Sequence, residues 1–296
     1  MKFEGVFVPH VTPFDENEEV NEEVLRELVN YFIDSGLHGL VTLGSNGELP
    51  NLNFEEKLRV LEIVVNEANG KLPVISGAGE STTKEVIRFA KKAIDIGVDG
   101  FLIVSPYYFK PNEQEQFRYY SRIAESIDAP IFLYSVPKFT GYHLSLDVVE
   151  KLVNEYSNIV GIKDSGGLIS RIIELIRRVG DKISVFGGTG DMIYPTLAFG
   201  GHGATVAIAN VAPSKCAEVY NLFKEKKFEG AKKLQIKLNY LNEVIVKKYN
   251  QLSAIKTAMR LQGLNVGYPR HPTSPLGEKE VEHIKWVLKE LGLIEA

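Results

Sequence analysis

The sequence predicts a (β/α)8 barrel carrying a C-terminal helical extension. Three observations lead there. Eight short apolar, β-branched runs recur between Gly5 and Ile208. Each is followed by a segment whose apolar residues have helical spacing. Beyond residue 226 the helical pattern continues with no strand signal. Eight alternations of strand and helix favour closure over a doubly wound open sheet. The expected division is a barrel over 1–225 and a helical extension over 226–296, packed on the barrel.

The runs, in order, are Gly5–Val11, Gly39–Leu43, Pro73–Gly77, Gly100–Val104, Pro130–Val136, Ile159–Lys163, Ile183–Gly187 and Ala204–Ile208. Between them, Glu23–Ser35 follows Asn21 as an N-cap and stops at Gly36. Glu55–Ala68 ends near Gly70. Thr82 with Glu85 reads as a capping box for the helix that ends at Gly97. Glu113–Ile127 follows Pro111 and Asn112, and Leu146–Tyr156 follows Ser145 as its cap. Ile169–Val179, Asp191–Phe199 and Lys215–Lys224 complete the alternation. The tail reads as helices Phe228–Lys248, Leu252–Gln262 and Lys279–Leu291, with a proline-punctuated loop through Pro269, Pro272 and Pro275 before the last.

Composition narrows the function. A formal net charge of −4 and 24% charged residues describe no basic face for nucleic acid. The one cysteine, Cys216, can form no internal disulfide, which fits a reducing cytoplasm. Met1–Gly5 lacks the apolar core of a signal peptide, and no apolar run approaches the roughly 18 residues of a membrane span. Cytoplasmic placement, with no membrane and no nucleic-acid partner, is the expectation.

Chemistry should sit at the C-terminal ends of the strands. The sixth run ends in Gly161-Ile162-Lys163-Asp164-Ser165. Alternation puts Gly161, Lys163 and Ser165 on one face and Ile162 and Asp164 on the other. Burial disfavours a charged ammonium, and a neutral amine is a nucleophile toward carbonyls; a lysine paired with Asp164 is the alternative. The second run leads into Gly44-Ser45-Asn46-Gly47-Glu48. There, two glycines would permit positive φ and aim N–H groups at a carboxylate. Tyr134 ends the fifth run within reach of a proton-transfer role. The Gly187–Gly190 cluster reads either as a phosphate site or as a wall of a polar pocket. The six histidines show no metal-ligand spacing and no complete dinucleotide fingerprint follows the first strand, so neither metal nor cofactor is expected.

These strand-end motifs, taken in order, resemble the dihydrodipicolinate synthase and N-acetylneuraminate lyase family of Schiff-base-forming aldolases. The matching pieces are Thr12-Pro13-Phe14, Gly44-Ser45-Asn46-Gly47-Glu48, Pro106-Tyr107-Tyr108, Tyr134-Ser135-Val136-Pro137, Thr140-Gly141, Gly161-Ile162-Lys163-Asp164-Ser165 and Gly200-Gly201-His202-Gly203. The resemblance implies that Lys163 forms an imine with a 2-oxo acid, usually pyruvate. It implies that Tyr134 shuttles protons, that Ser45 relays them, and that Asn46 helps hold the carboxylate. Tyr108 would enter from a neighbouring subunit of a homotetramer, a dimer of dimers. Gly188 and Thr205 would line the pocket, and Ser165 would help select the substrate. Dihydrodipicolinate synthases carry an arginine two residues after the proline of the fifth-strand motif, where this sequence has Phe139. On that departure the motifs lie closest to 4-hydroxy-2-oxoglutarate and 2-keto-3-deoxy sugar-acid aldolases. Synthesis of 4-hydroxy-tetrahydrodipicolinate from pyruvate and aspartate semialdehyde is the alternative within the family. A barrel that only binds a 2-oxo acid is the alternative outside enzymology.

Overall fold

A computed structural model describes residues 3–295; of the N-terminal Met1–Gly5 segment, Met1 and Lys2 lie outside it. Eight parallel strands close a barrel in sequence order. They are β1 (Gly5–Pro9), β2 (Gly39–Thr42), β3 (Val74–Ala78), β4 (Gly100–Val104), β5 (Ile131–Ser135), β6 (Ile159–Asp164), β7 (Ser184–Gly187) and β8 (Gly203–Thr205). The outer helices are α1 (Glu22–Asp34), α2 (Phe54–Ala68), α3 (Thr83–Ile96), α4 (Glu113–Ala124), the single turn α5 (Pro137–Thr140), α6 (Leu146–Glu155), α7 (Ile169–Val179), α8 (Ile193–Ala198) and α9 (Pro213–Lys224). The tail adds α10 (Phe228–Asn242), α11 (Gln251–Leu261) and α12 (Glu278–Glu290). No helix among the described residues is long and apolar enough to cross a membrane.

Two apolar layers build the barrel. Between strands and helices, one continuous core runs from Val6 to Leu288, taking in Leu238, Ile245 and Ala258 of the tail. Inside the barrel, Phe3, Phe7, Phe132 and Phe186 meet edge to face at ring-centre distances of 5.3–6.3 Å. These rings need space that neighbouring strands must yield. A Cβ on Gly39 would stand 2.4 Å from the Phe7 ring, and one on Gly161 would stand 2.3 Å from Phe132. Glycine at 161 is therefore the packing partner of an aromatic ring. The next inward position on β6, Lys163, lies above that plug.

Local signals mostly act as read. Asn21 and Thr82 cap α1 and α3, accepting from Val24 N and Glu85 N; the expected capping box at Thr82 is half formed, because the Glu85 carboxylate accepts from Arg88 instead. Ser145 stands at the start of α6 but its side chain makes no cap bond. The long tail helix expected over 228–248 is interrupted. After Asn242 the chain widens into a π-helical turn, Glu243–Lys248. Such turns concentrate at functional sites, and this one faces the mouth of the barrel.

Candidate active site

Lys163 is buried, with 5% of its surface exposed. Its register partner across β5–β6 is Tyr134, and Nζ lies 4.4 Å from the Tyr134 ring centre. No carboxylate pairs with it among the described residues. Asp164 faces the other way, as alternation requires. Its buried carboxylate accepts from Arg171 Nε at 2.6 Å and from Gly166 N at 2.9 Å. The expected alternative, a Lys163–Asp164 pair, is absent for that reason.

Above Lys163 is a small cavity of about 60 Å³. Its walls include Ser45, Asn46, Tyr134, Lys163, Ser165 and Gly188. It borders a larger one of about 600 Å³ that opens outward and shares Ser45, Asn46, Tyr134 and Phe139 with it. The structure thus brings together seven of the nine residues singled out in the sequence. The two others stand apart. Thr205 pairs with Phe7 inside the barrel and lines neither cavity; Ala207, two residues on, takes that place. Phe7 explains the difference, because its ring belongs to the aromatic plug beneath the cavities. Tyr108 is 85% exposed, stacked edge-on against Phe109, and lines neither cavity; Tyr107 lines the outer one.

The turn after β2 differs from its expected mechanism. Positive φ falls on Leu43 (59°) and Glu48 (57°), the residues flanking the two glycines. A bulky residue such as Leu43 in the left-handed region is strained and is tolerated where tertiary contacts hold it. Gly47 is needed for close approach instead, since a Cβ there would lie 3.2 Å from His10 O and from the Leu43 backbone. Gly47 N and Glu48 N donate to Gly44 O and Ser45 O. The N–H groups of Ser45 and Asn46 make no hydrogen bond among the described residues, so two adjacent donors remain at the cavity wall.

The Gly187–Gly190 cluster is not a free anion cradle. Gly188 N donates to Asp164 O at 2.7 Å and Gly190 N to Asn242 Oδ1 at 3.2 Å. Gly188 O accepts from Ser165 Oγ at 3.2 Å. A Cβ at Gly188 would stand 2.0 Å from that hydroxyl, so glycine lets β7 close on the end of β6. The pocket-wall alternative is the arrangement found.

Sequence reasoning missed what the tail contributes. Gln251, at the start of α11, donates from Nε2 to Asn46 Oδ1 at 2.7 Å, while Asn46 Nδ2 donates to Pro9 O. Lys256 Nζ, on the same helix, donates to Glu48 Oε1 at 2.8 Å and to Tyr268 O at 2.9 Å. Both side chains of that ion pair are buried, and burial pulls the Lys256 ammonium down to about 8. Glu48 Oε2 accepts from Arg270 N and from Asn51 Nδ2. The extension therefore holds the turn that presents Ser45 and Asn46. Only long-range contact information could have revealed this, because Glu48 and Lys256 are 208 residues apart.

Residues 2–291 match the model of the dihydrodipicolinate synthetase family. The chain belongs to that family. Its members make or break carbon–carbon bonds through a lysine Schiff base, and this protein is an enzyme of that kind. Among its relatives is the 4-hydroxy-tetrahydrodipicolinate synthase of Methanopyrus kandleri, 38% identical, with 99% of this chain and 98% of the relative aligned. The synthase of Methanocaldococcus jannaschii is 37% identical over 99% of this chain and all of its own. The chloride-inhibited dihydrodipicolinate synthase of Acinetobacter baumannii, solved with pyruvate, superposes with a TM-score of 0.95 at 34% identity, covering 99% of this chain and 100% of that one.

Proposed function

We propose that Lys163 condenses with the keto carbon of pyruvate and that the imine is then joined to a second carbonyl compound. The observation that carries this is the buried Lys163 amine, without a carboxylate partner, facing Tyr134 beneath a cavity. Attack forms the N–C bond, and the keto oxygen leaves as water. The protonated imine is an electron sink, so a methyl proton can leave to give an enamine. The enamine carbon then attacks an aldehyde carbon and the new alkoxide takes a proton; water, or an amine carried by the second compound, adds to the imine carbon and expels the Lys163 amine, which breaks the N–C bond and frees the product. Tyr134 is the proton shuttle, with Ser45 as relay, and the free N–H groups of Ser45 and Asn46 hold the pyruvate carboxylate. Ser165 and Gly188 form the opposite wall, where the second compound is selected.

For that second compound the first reading is aspartate semialdehyde, giving 4-hydroxy-tetrahydrodipicolinate. It is supported by the activity named for relatives 37–38% identical over nearly the full chain. This replaces the sugar-acid and hydroxyoxoglutarate aldolases as the leading assignment. The second reading keeps them, as reversible cleavage of a 2-oxo-4-hydroxy acid such as 4-hydroxy-2-oxoglutarate or 2-keto-3-deoxygluconate. It is favoured by Phe139, half exposed on the wall of both cavities, where a bidentate carboxylate contact would need arginine. We also infer a cytoplasmic homotetramer in which the Tyr107–Phe109 tip is buried by a neighbouring copy and Tyr108 completes that copy's relay. Borohydride reduction with pyruvate, followed by peptide mapping, tests the imine; a single adduct on Lys163 is expected. An unmodified protein that still binds pyruvate is a binding barrel and overturns the reading. Turnover of aspartate semialdehyde against the two oxo-hydroxy acids then separates the two substrates.

A further inference from the structure

Among the described residues two cations line the outer cavity, Lys138 and Lys247, and Lys256 and Arg270 stand behind it. Lys256 pairs with Glu48, Lys247 with Asp191 and Arg270 with Glu56. Lys138 is the exception. It lines both cavities, so it stands where they join. Its Nζ donates to two neutral acceptors, Gln251 Oε1 at 2.9 Å and Val246 O at 3.2 Å. No carboxylate pairs with it among the described residues, and the Phe139 ring lies 5.6 Å from Nζ. An ammonium has three donors, and two are used here. The fixed acceptors come from the π-helical turn and from α11, so the tail aims this side chain.

Resting on the imine reading above, we propose that Lys138 binds the anionic end of the second carbonyl substrate and thereby selects carboxylate-bearing aldehydes over neutral ones. A partly desolvated cation without a counter-ion gains most from a ligand that supplies one. The pyruvate carboxylate is served separately by the Ser45 and Asn46 N–H groups. Lys138 is thus free for a second carboxylate, carried by the compound that enters through the outer cavity. Position 139 need not carry the charge, because the neighbouring residue already presents it to the same space. Ammonium binds as a point charge and not as a planar fork, so the site should accept anionic aldehydes of differing length.

The test compares aspartate semialdehyde with neutral D-glyceraldehyde, each with pyruvate, in the wild-type chain and in Lys138→Met and Lys138→Arg. Borohydride trapping with pyruvate is run on each protein and reports the imine step by itself. Wild type should prefer aspartate semialdehyde. Lys138→Met should raise its KM roughly tenfold or more, with glyceraldehyde KM and pyruvate trapping within twofold. Lys138→Arg should restore most of the loss. Equal loss toward both aldehydes means a structural role and overturns the proposal. So does an unchanged KM for the semialdehyde, a wild-type preference for glyceraldehyde, or intact trapping with turnover of neither. Failure of trapping in wild type instead removes the imine reading itself.

Discussion

Replacing Lys256 by methionine should be the most damaging single change outside the reacting groups. The substitution keeps the apolar stem and deletes the charge. Glu48 is left with a buried carboxylate whose side chain is 0% exposed in the native pair. It retains Arg270 N at 3.0 Å and Asn51 Nδ2 at 3.1 Å, two neutral donors. Breaking one half of a buried ion pair costs roughly 3–5 kcal/mol. The surviving donors, and protonation of the orphaned acid, place this case near 3 kcal/mol. For a chain of this size that is a fall in Tm of roughly 6–12 °C. Denaturant titration measures the free energy directly. Adding Glu48→Gln to Lys256→Met should recover most of the loss, because a neutral amide is cheaper to bury than a lone carboxylate. Pyruvate trapping should slow in the single variant, since Glu48 ends the turn that presents Ser45 and Asn46. A loss under about 1 kcal/mol, or no recovery in the double variant, would refute the reasoning.

Three further outcomes are expected. Gly188→Ala should cost about 1–3 kcal/mol and slow imine trapping, because its Cβ would fall 2.0 Å from Ser165 Oγ and 2.8 Å from Asp164 O; thermal melts and trapping rates check both. His10 is fully buried between Val11 O and Thr42 Oγ1, and burial lowers it from 6.5 to about 4. A folded pKa below the unfolded one gives stability that is present above pH 6.5 and lost as pH falls through 4, about 3 kcal/mol in all; denaturation across that window should show it, and His10→Gln should flatten the slope. Tyr108→Phe should cut turnover about a hundredfold with little change in pyruvate trapping, whereas equal loss of both would place Tyr108 outside the relay.

The strands, and the strand-end side chains that meet at the cavity, were legible because both obey short-range rules. A period of two, read along Gly161–Ser165, sent Lys163 inward and Asp164 outward with no knowledge of the rest. Barrel architecture then put Ser45, Tyr134 and Lys163 at one end. Conformational detail was less accessible. Gly44 and Gly47 suggested left-handed backbone, yet Leu43 and Glu48 adopt it, because contacts from His10 and Lys256 fix the turn from outside. The tail was recognisable as helical, but its role was not. Asn242, the Val246 carbonyl and Gln251 reach the site from the end of α10, the π-helical turn and the start of α11, and a continuous helical pattern over 228–248 gives no sign of such a turn. Thr205 was placed on the pocket by analogy with motif position, whereas the size of Phe7 decides what that face of β8 can reach.

The arrangement of charge explains why such a site should seek a carboxylate. Lys163 and Asp164 are adjacent in sequence and opposite in sign, and in an unfolded chain they would offset one another. The strand separates them. Asp164 passes to the helix side, where Arg171 neutralises it, and Lys163 passes to the barrel side, where the π-face of Tyr134 meets it and no carboxylate among the described residues pairs with it. A slip of one residue in register would reverse both and take Lys163 away from the cavity. Gly161 resists that slip, because Ile162 in its place would drive a side chain into the Phe132 ring. The aromatic plug therefore fixes more than packing: it fixes which of two adjacent charges faces the cavity. Two unpaired N–H groups at Ser45 and Asn46 add to the same positive character. An anion entering the cavity supplies the counter-charge that the fold has directed away from it, and a 2-oxo acid brings its carboxylate and its electrophilic carbon together.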